Sequence, residues 1–239
     1  MPILQLCDVK KSFGALTVAN GICFDVPKGQ ALGVIGPNGA GKSTLFNLIN
    51  GNIRADSGTV VFKDRDVTTW PPSQRVRAGI GRSFQIPQPF GSLTVFENLL
   101  AAASFGRNLP EQDVAERCFQ ILEATELLPV ANDAAGGLSL LHRKRLEMAR
   151  AMATDPDLLL LDEIAGGLTE GECAALIDTI RTVHATGTTI IWIEHVLHAL
   201  TAVVEELLVL DFGKVIGHGD PEEIMASAAV REIYLGIDA

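Results

Sequence analysis

Gly36-Pro37-Asn38-Gly39-Ala40-Gly41-Lys42-Ser43 stands between an apolar run, Ala31–Ile35, and a helix-like stretch over residues 43–49. The string fits G-x-x-x-x-G-K-[ST], and the chemistry of phosphate binding needs those residue types. Glycines at 36, 39 and 41 let the main chain curl until successive N–H groups face one point. The following helix N-terminus adds the positive end of its dipole. Lys42 brings a full charge to β- and γ-phosphates, and the Ser43 hydroxyl is a ligand for Mg²⁺. At average composition such a string arises by chance in roughly one chain per hundred of this length.

Outward from the loop, residues 59–63, 158–161 and 188–193 read as further strands, rich in Val, Ile and Leu beside Gly or charged punctuation. The last two are nearly continuous apolar runs, which suits strands buried on both faces in a parallel sheet. Between them Glu170–Ala185 carries Cys173, Leu176, Ile177, Ile180 and Val183 at helical spacing, and Gly187 follows as a stop. Strand, helix and strand in that order predict an α/β core. From about Gln85 to Asp155 the strand signal fades. Residues 94–104, 112–124 and 139–154 read as helices, separated by Pro110, Pro129 and Gly136-Gly137. An all-helical insert of about 70 residues is expected there. Leu161-Asp162-Glu163 puts two carboxylates at the end of a buried strand, the ligand-bearing end of a parallel sheet. Asp162 suits Mg²⁺ held through water, and Glu163 suits orienting or deprotonating a water. A solvated acidic turn is the other reading of that pair.

Composition narrows the function further. The chain has 239 residues, a formal net charge of −10 and 20% charged residues. That acidic balance argues against a general nucleic-acid binder. Mean hydropathy is +0.26, yet no uncharged apolar run reaches the eighteen or so residues that span a bilayer. Cys7, Cys23, Cys118 and Cys173 form no Cys-x-x-Cys pair and read as small core side chains in a reducing compartment. Met1-Pro2-Ile3-Leu4-Gln5 lacks the basic-then-apolar pattern of a secretory signal, so a cytosolic protein is expected.

Five segments in order resemble the ATP-binding subunit of ATP-binding cassette (ABC) transporters. After the phosphate loop, Ser83-Phe84-Gln85 is similar to the Q-loop. Leu138-Ser139, with Arg145-Leu146-Glu147-Met148-Ala149-Arg150 behind it, resembles the signature and its helix. Leu158-Leu159-Leu160-Leu161-Asp162-Glu163 is similar to the Walker B strand, and Ile193-Glu194-His195 ends where the family keeps its switch histidine. The resemblance covers almost the whole chain. It implies a P-loop NTPase (RecA-like) α/β core with an N-terminal antiparallel β portion and an inserted α-helical subdomain. The core is expected over 1–84 and 156–239, and the helical signature subdomain over 85–155.

The resemblance also implies roles. Phe13 would stack on adenine, where the bland alternative is a core Phe on an early strand. Gly36, Pro37, Asn38, Gly39, Ala40, Gly41, Lys42, Ser43 and Thr44 would hold the ATP phosphates, and Ser43, Gln85 and Asp162 the Mg²⁺. Glu163, His195 and Gln85 would be catalytic, with His195 on the γ-phosphate; the bland alternatives are a solvated loop Gln and a surface His. Ser139 would reach the γ-phosphate across a head-to-tail dimer with a second cassette. His195 and His198 also have metal spacing, but the sequence offers no third ligand. Expected partners are transmembrane permease subunits, a second ABC ATPase and, indirectly, a periplasmic solute-binding protein, at the cytoplasmic face of the inner membrane.

Arg82-Ser83-Phe84-Gln85, Leu93-Thr94-Val95-Phe96-Glu97-Asn98-Leu99, Gly166-Gly167-Leu168 and Glu232-Ile233-Tyr234-Leu235-Gly236 look like the branched-chain amino-acid uptake branch. A lipopolysaccharide-export ATPase is also similar. The chain departs from the family pattern at Leu140, Leu141 and His142, in place of Gly-Gly-Gln, at Ile164 in place of Pro, and at Thr169 in place of the D-loop Asp. These departures leave open a regulatory, ATP-binding half paired with a competent sister. A soluble cassette of translation or DNA repair would need a second cassette or long inserted coils. Gln85-Ile86-Pro87-Gln88-Pro89-Phe90-Gly91-Ser92-Leu93 is expected to form a groove for a permease helix, unless Phe90 and Leu93 pack the insert's own core.

Overall fold

The structure, a computed structural model, describes residues 1–106, 111–228, 230 and 231. Pro110 and the C-terminal stretch 232–236 lie outside those residues. The chain runs through strands β1 (Pro2–Phe13), β2 (Leu16–Pro27) and β3 (Ala31–Ile35), helix α1 (Lys42–Asn50), and strands β4 (Ser57–Phe62) and β5 (Arg65–Asp66). There follow α2 (Pro72–Ala78), β6 (Ile80–Arg82), α3 (Val95–Ala103), α4 (Glu111–Ala124), α5 (Leu140–Ala153) and β7 (Leu158–Asp162). The last elements are α6 (Glu170–Ala185), β8 (Thr189–Ile193), α7 (Leu197–Thr201), β9 (Glu206–Asp211), β10 (Lys214–Gly219) and α8 (Pro221–Ala226). Two compact units result, Met1–Pro72 with Ile191–Ala239, and Ser73–Ile190.

In the first unit β2, β1, β4 and β5 form an antiparallel sheet in that order. Leu4 faces Val26 and Leu6 faces Phe24, both pairs buried, so one face of this sheet is apolar. The register breaks between Leu6 and Val9, where Asp8 turns to φ 48°. This irregularity hides β1 from a period-2 reading. In the same unit β10, β9 and β3 are successive neighbours, with β9 parallel to β3 and antiparallel to β10. Every residue of β3 is buried, as its continuous apolar run predicts. Leu45, Phe46, Leu48 and Ile49 of α1 are buried with them.

In the second unit β6 lies parallel to β7, Ile80 opposite Leu158. Helices α3, α4, α5 and α6 pack on one another. The predicted helix limits are set by caps. Thr94 and Glu97 form a capping box at α3, and Ser139 caps α5 with its hydroxyl on the His142 N–H. All five apolar positions predicted for α6 are buried, and Gly187 takes φ +87° after the helix. Strand β7 runs one residue further than its apolar run, through Asp162. Cys118 and Cys173 are buried, but Cys7 and Cys23 are exposed on β1 and β2 and are not core side chains. Among the described residues no helix is long and apolar enough to cross a membrane.

Candidate functional site

In the first unit β3 delivers the chain into the phosphate loop. A side chain at Gly36 would put its Cβ 2.3 Å from the Leu210 carbonyl oxygen, and one at Gly41 would meet the Val18 oxygen at 2.5 Å, so neither position admits more than hydrogen. Gly41 is also left-handed, φ 105°, and serves as N-cap of α1 without any side-chain cap. The first turn of α1 holds no acidic residue. The helix thus presents uncapped N–H groups and its positive dipole end, the chemistry of an anion site. Lys42 is only 6% exposed, and its ammonium is held by the Gly36 and Pro37 carbonyls at 2.6 and 3.0 Å. Asn38, Gly39 and Ser43 are exposed, and Pro37 and Thr44 are half-buried. The turn between β9 and β10 braces the loop, since Gly213 N–H donates to the Ala40 oxygen at 2.9 Å.

Phe13 ends β1 and is 51% exposed, so it is a surface aromatic and not a core one; the Lys11 ammonium lies 5.3 Å from its ring centre. His195 is exposed just past β8, and its backbone N–H donates to the buried Glu194 carboxylate at 2.9 Å.

In the second unit β7 places Asp162 and Glu163 at its end. Asp162 is buried, and Arg82 donates to its carboxylate at 2.7 Å. Glu163 takes φ 46°, a region uncommon for a residue with a Cβ. Gln85 Nε2 donates to the Glu163 carboxylate, so two residues 78 apart in sequence are brought together. Lys144 donates to the carbonyls of both, at 2.9 Å to Gln85 and 3.2 Å to Glu163. Glu147 is buried; desolvation pushes its carboxyl above the usual range, against the opposing pull of Arg150. Ser139 is exposed at the start of α5, whose first turn also lacks acidic residues. Leu140 is exposed as well, and a Cβ at Gly167 would sit 3.5 Å from its Cδ2. Thr169 forms a capping box with Glu172 at α6, and Ile164 is fully buried.

Ser43 in the first unit, and Gln85 and Asp162 in the second, each carry a hard oxygen of the kind Mg²⁺ takes. Among the described residues no cluster of three or more His, Cys, Asp or Glu could hold a metal by itself, so the His195–His198 spacing gains no third ligand. A cation on one carboxylate, completed by phosphate oxygens and water, is the usual Mg²⁺ arrangement, and the oxygen chemistry of each of these side chains suits it.

Phe90 is 52% exposed, beside exposed Phe84 and Ile86, which removes the reading of Phe90 as a core residue. Its loop is built from behind by buried Asn98, which accepts the Phe90 N–H at 2.9 Å and donates to the Phe90 carbonyl at 3.2 Å. Arg82, Lys144, Glu147 and Glu194 were assigned no role by sequence reasoning. Arg82 and Lys144 have partners distant in the chain and Glu194 bonds the main chain, so no local spacing signals them, whereas Glu147 with Arg150 is an i,i+3 pair that the sequence does show. Gly213 had a signal, a Gly after Phe212 between two apolar runs.

The family described as "ABC transporter" matches residues 19–166, and that described as "Branched-chain amino acid ATP-binding cassette transporter" matches residues 214–239. The Archaeoglobus fulgidus protein named "Probable branched-chain amino acid transport ATP-binding protein LivG" is 36% identical, the match covering 99% of this chain and 96% of that one. The Haemophilus influenzae "Lipopolysaccharide export system ATP-binding protein LptB" is 30% identical over 99% of this chain and 98% of its own. A crystal structure of an ATP-binding cassette of an ABC transporter in its ADP conformation superposes with a TM-score of 0.90 at 33% identity, covering 99% of this chain and 100% of that one.

Proposed function

The chain belongs to the ABC transporter family, and on that premise we propose that it is the ATP-hydrolysing subunit of an importer for branched-chain or other hydrophobic amino acids. The observation that carries nucleotide binding is the glycine loop with buried Lys42 ahead of an uncapped, acid-free helix N-terminus. The cargo rests on the match of residues 214–239 and on the LivG relatives.

The phosphate chain of ATP would be held by the loop N–H groups between residues 36 and 44, Pro37 having none, with the Lys42 ammonium turning from the loop carbonyls to the β- and γ-phosphates. Phe13 offers its exposed face to the adenine. Ser43, Gln85 and Asp162 would hold Mg²⁺, which supplies charge neutralisation at the phosphate oxygens. Glu163 orients the attacking water and takes its proton, Gln85 fixes the Glu163 carboxylate, and His195 contacts the γ-phosphate. Ser139 serves the ATP of a second cassette. Residues 85–155 act as the helical signature subdomain of a core formed by 1–84 and 156–239. The partners are two permease subunits, which receive the Phe84, Ile86 and Phe90 surface, and through them a periplasmic solute-binding protein. The chain works as a peripheral subunit at the cytoplasmic face of the inner membrane.

Leucine uptake and phosphate release by the complex of the full chain with its permeases test this reading. E163Q should retain ATP and lose at least about 100-fold in turnover. Equal turnover in E163Q and wild type would sink the base assignment. The bulk at Leu140 and Leu141 favours a second reading, the ATP-holding half of a heteromeric pair. Turnover only after addition of a sister cassette would establish that alternative.

A further inference from the structure

Lys144, Glu147 and Arg150 recur every three residues along α5, so they leave one side of the helix. All three end on main chain between residues 84 and 90. Glu147 accepts the backbone N–H groups of Phe84 and Gln88, and Arg150 donates to Glu147 at 3.1 Å and to the Gln88 carbonyl at 2.9 Å. The Arg150 guanidinium also lies 5.2 Å from the Phe90 ring centre. Lys144 alone reaches a second segment. It is 5% exposed, and its ammonium spans the carbonyls of Gln85 and Glu163.

Those two residues are also joined side chain to side chain, Gln85 amide on Glu163 carboxylate. The amide–carboxylate contact is therefore tied behind by a charged donor at both of its main-chain ends. Glu163 needs such a tie, because its left-handed backbone persists only where the surroundings over-determine it. A charge-assisted bond from a buried ammonium to its own carbonyl is a strong constraint of that kind.

We propose that Lys144 is a positioning residue for hydrolysis, holding the Gln85 amide and the Glu163 carboxylate in register and linking both, through α5, to the signature serine that caps that helix. This rests on the reading of Glu163 as the base. Lys144 acts through its two carbonyls and touches no reacting atom. It is also absent from the phosphate loop. Its loss should therefore lower the rate of the chemical step and spare nucleotide binding.

The test uses the full chain assembled with its permease subunits, comparing wild type, K144M, K144Q, K144R and E163Q. Steady-state phosphate release gives kcat and KM, and a fluorescent ATP analogue gives affinity. K144M should lower kcat about 10- to 100-fold, the effect of a displaced catalytic group, with KM and affinity within about twofold of wild type. K144R, which keeps a cationic donor, should restore most of kcat. The proposal is overturned if kcat of K144M stays within about twofold of wild type, if KM rises in step with the lost rate, or if K144R is as impaired as K144M. Failure of both K144M and K144Q to fold would also overturn it, by making Lys144 a structural residue. E163Q separates the two ideas. Wild-type turnover in E163Q defeats the base reading, whereas an inactive E163Q beside a fully active K144M defeats only the Lys144 proposal.

Discussion

Thr169→Ala removes the cap of α6 at the place where the family pattern has an aspartate. Thr169 Oγ1 accepts the Glu172 N–H at 3.3 Å, while Glu172 Oε2 accepts the Thr169 N–H and hydroxyl, each at 2.9 Å. Replacing a capping Thr by Ala costs about 1 kcal/mol, which lowers the melting temperature of a chain this size by about 2–4 °C. The backbone N–H of Thr169, and after it the hydroxyl, holds the Glu172 carboxyl below its usual range. Its folded pKa lies under the unfolded one. Glu172 therefore contributes above the ordinary value of about 4.3 and loses that contribution as pH falls through the folded value. The gap between wild type and T169A should be widest near neutral pH and narrow on acidification. T169D keeps a capping oxygen and adds a negative charge at a helix N-terminus, so it should melt with wild type. Thermal melts over a pH series, with hydrogen exchange at the first-turn amides of α6, provide the measurement. If T169A melts within about 0.5 °C of wild type with unchanged exchange, or if the gap grows in acid, the cap is not why threonine stands there.

Lys42→Gln should weaken ATP binding on the order of 100- to 1000-fold, since a buried ammonium a few ångström from phosphate is worth up to about 4 kcal/mol at an effective dielectric constant near 20; titration calorimetry checks it, and unaltered affinity would refute the role. Phe90→Asp should leave ATP affinity and melting temperature unchanged, because Phe90 is half-exposed, while solute uptake by the assembled transporter is lost. A folding defect would instead show that its ring and the Arg150 guanidinium hold the loop.

The parts of the fold legible in the sequence are those whose burial is complete or whose ends are capped by short-range bonds. Strands β3, β7 and β8 are buried at every residue, so a plain apolar run announces them. Helix α5 starts at Ser139 and stops at Thr154 because each end has a partner within three residues. Strand β1 was missed as an individual element because its polar residues interrupt the pattern and its pairing shifts register four times. Helix α2 was missed for a different reason, since its buried residue is Arg75 and nothing apolar marks its inner side. The site divides likewise. The phosphate loop and the Asp162-Glu163 pair are contiguous motifs, while the Arg82–Asp162 pair and the Lys144 bridge join residues 80, 59 and 19 apart. A chain carrying only local information cannot display such pairs.

The acidic charge of the chain is compatible with a polyanionic ligand because of where the acid is placed. Helices α3, α6 and α8 carry Glu97, Glu170 with Glu172, and Glu222 with Glu223 in their first turns, each neutralising the positive end of its own dipole. Helices α1, α2, α5 and α7 carry none, although an acidic residue there would stabilise them in the same way. Among these four, α1 follows the phosphate loop and α5 follows Ser139. Leaving both dipole ends uncompensated makes sense if the compensating charge arrives with the ligand. A net charge of −10 thus opposes binding little, since charges beyond about a Debye length of 8–10 Å are screened and the first turns of α1 and α5 hold no carboxylate.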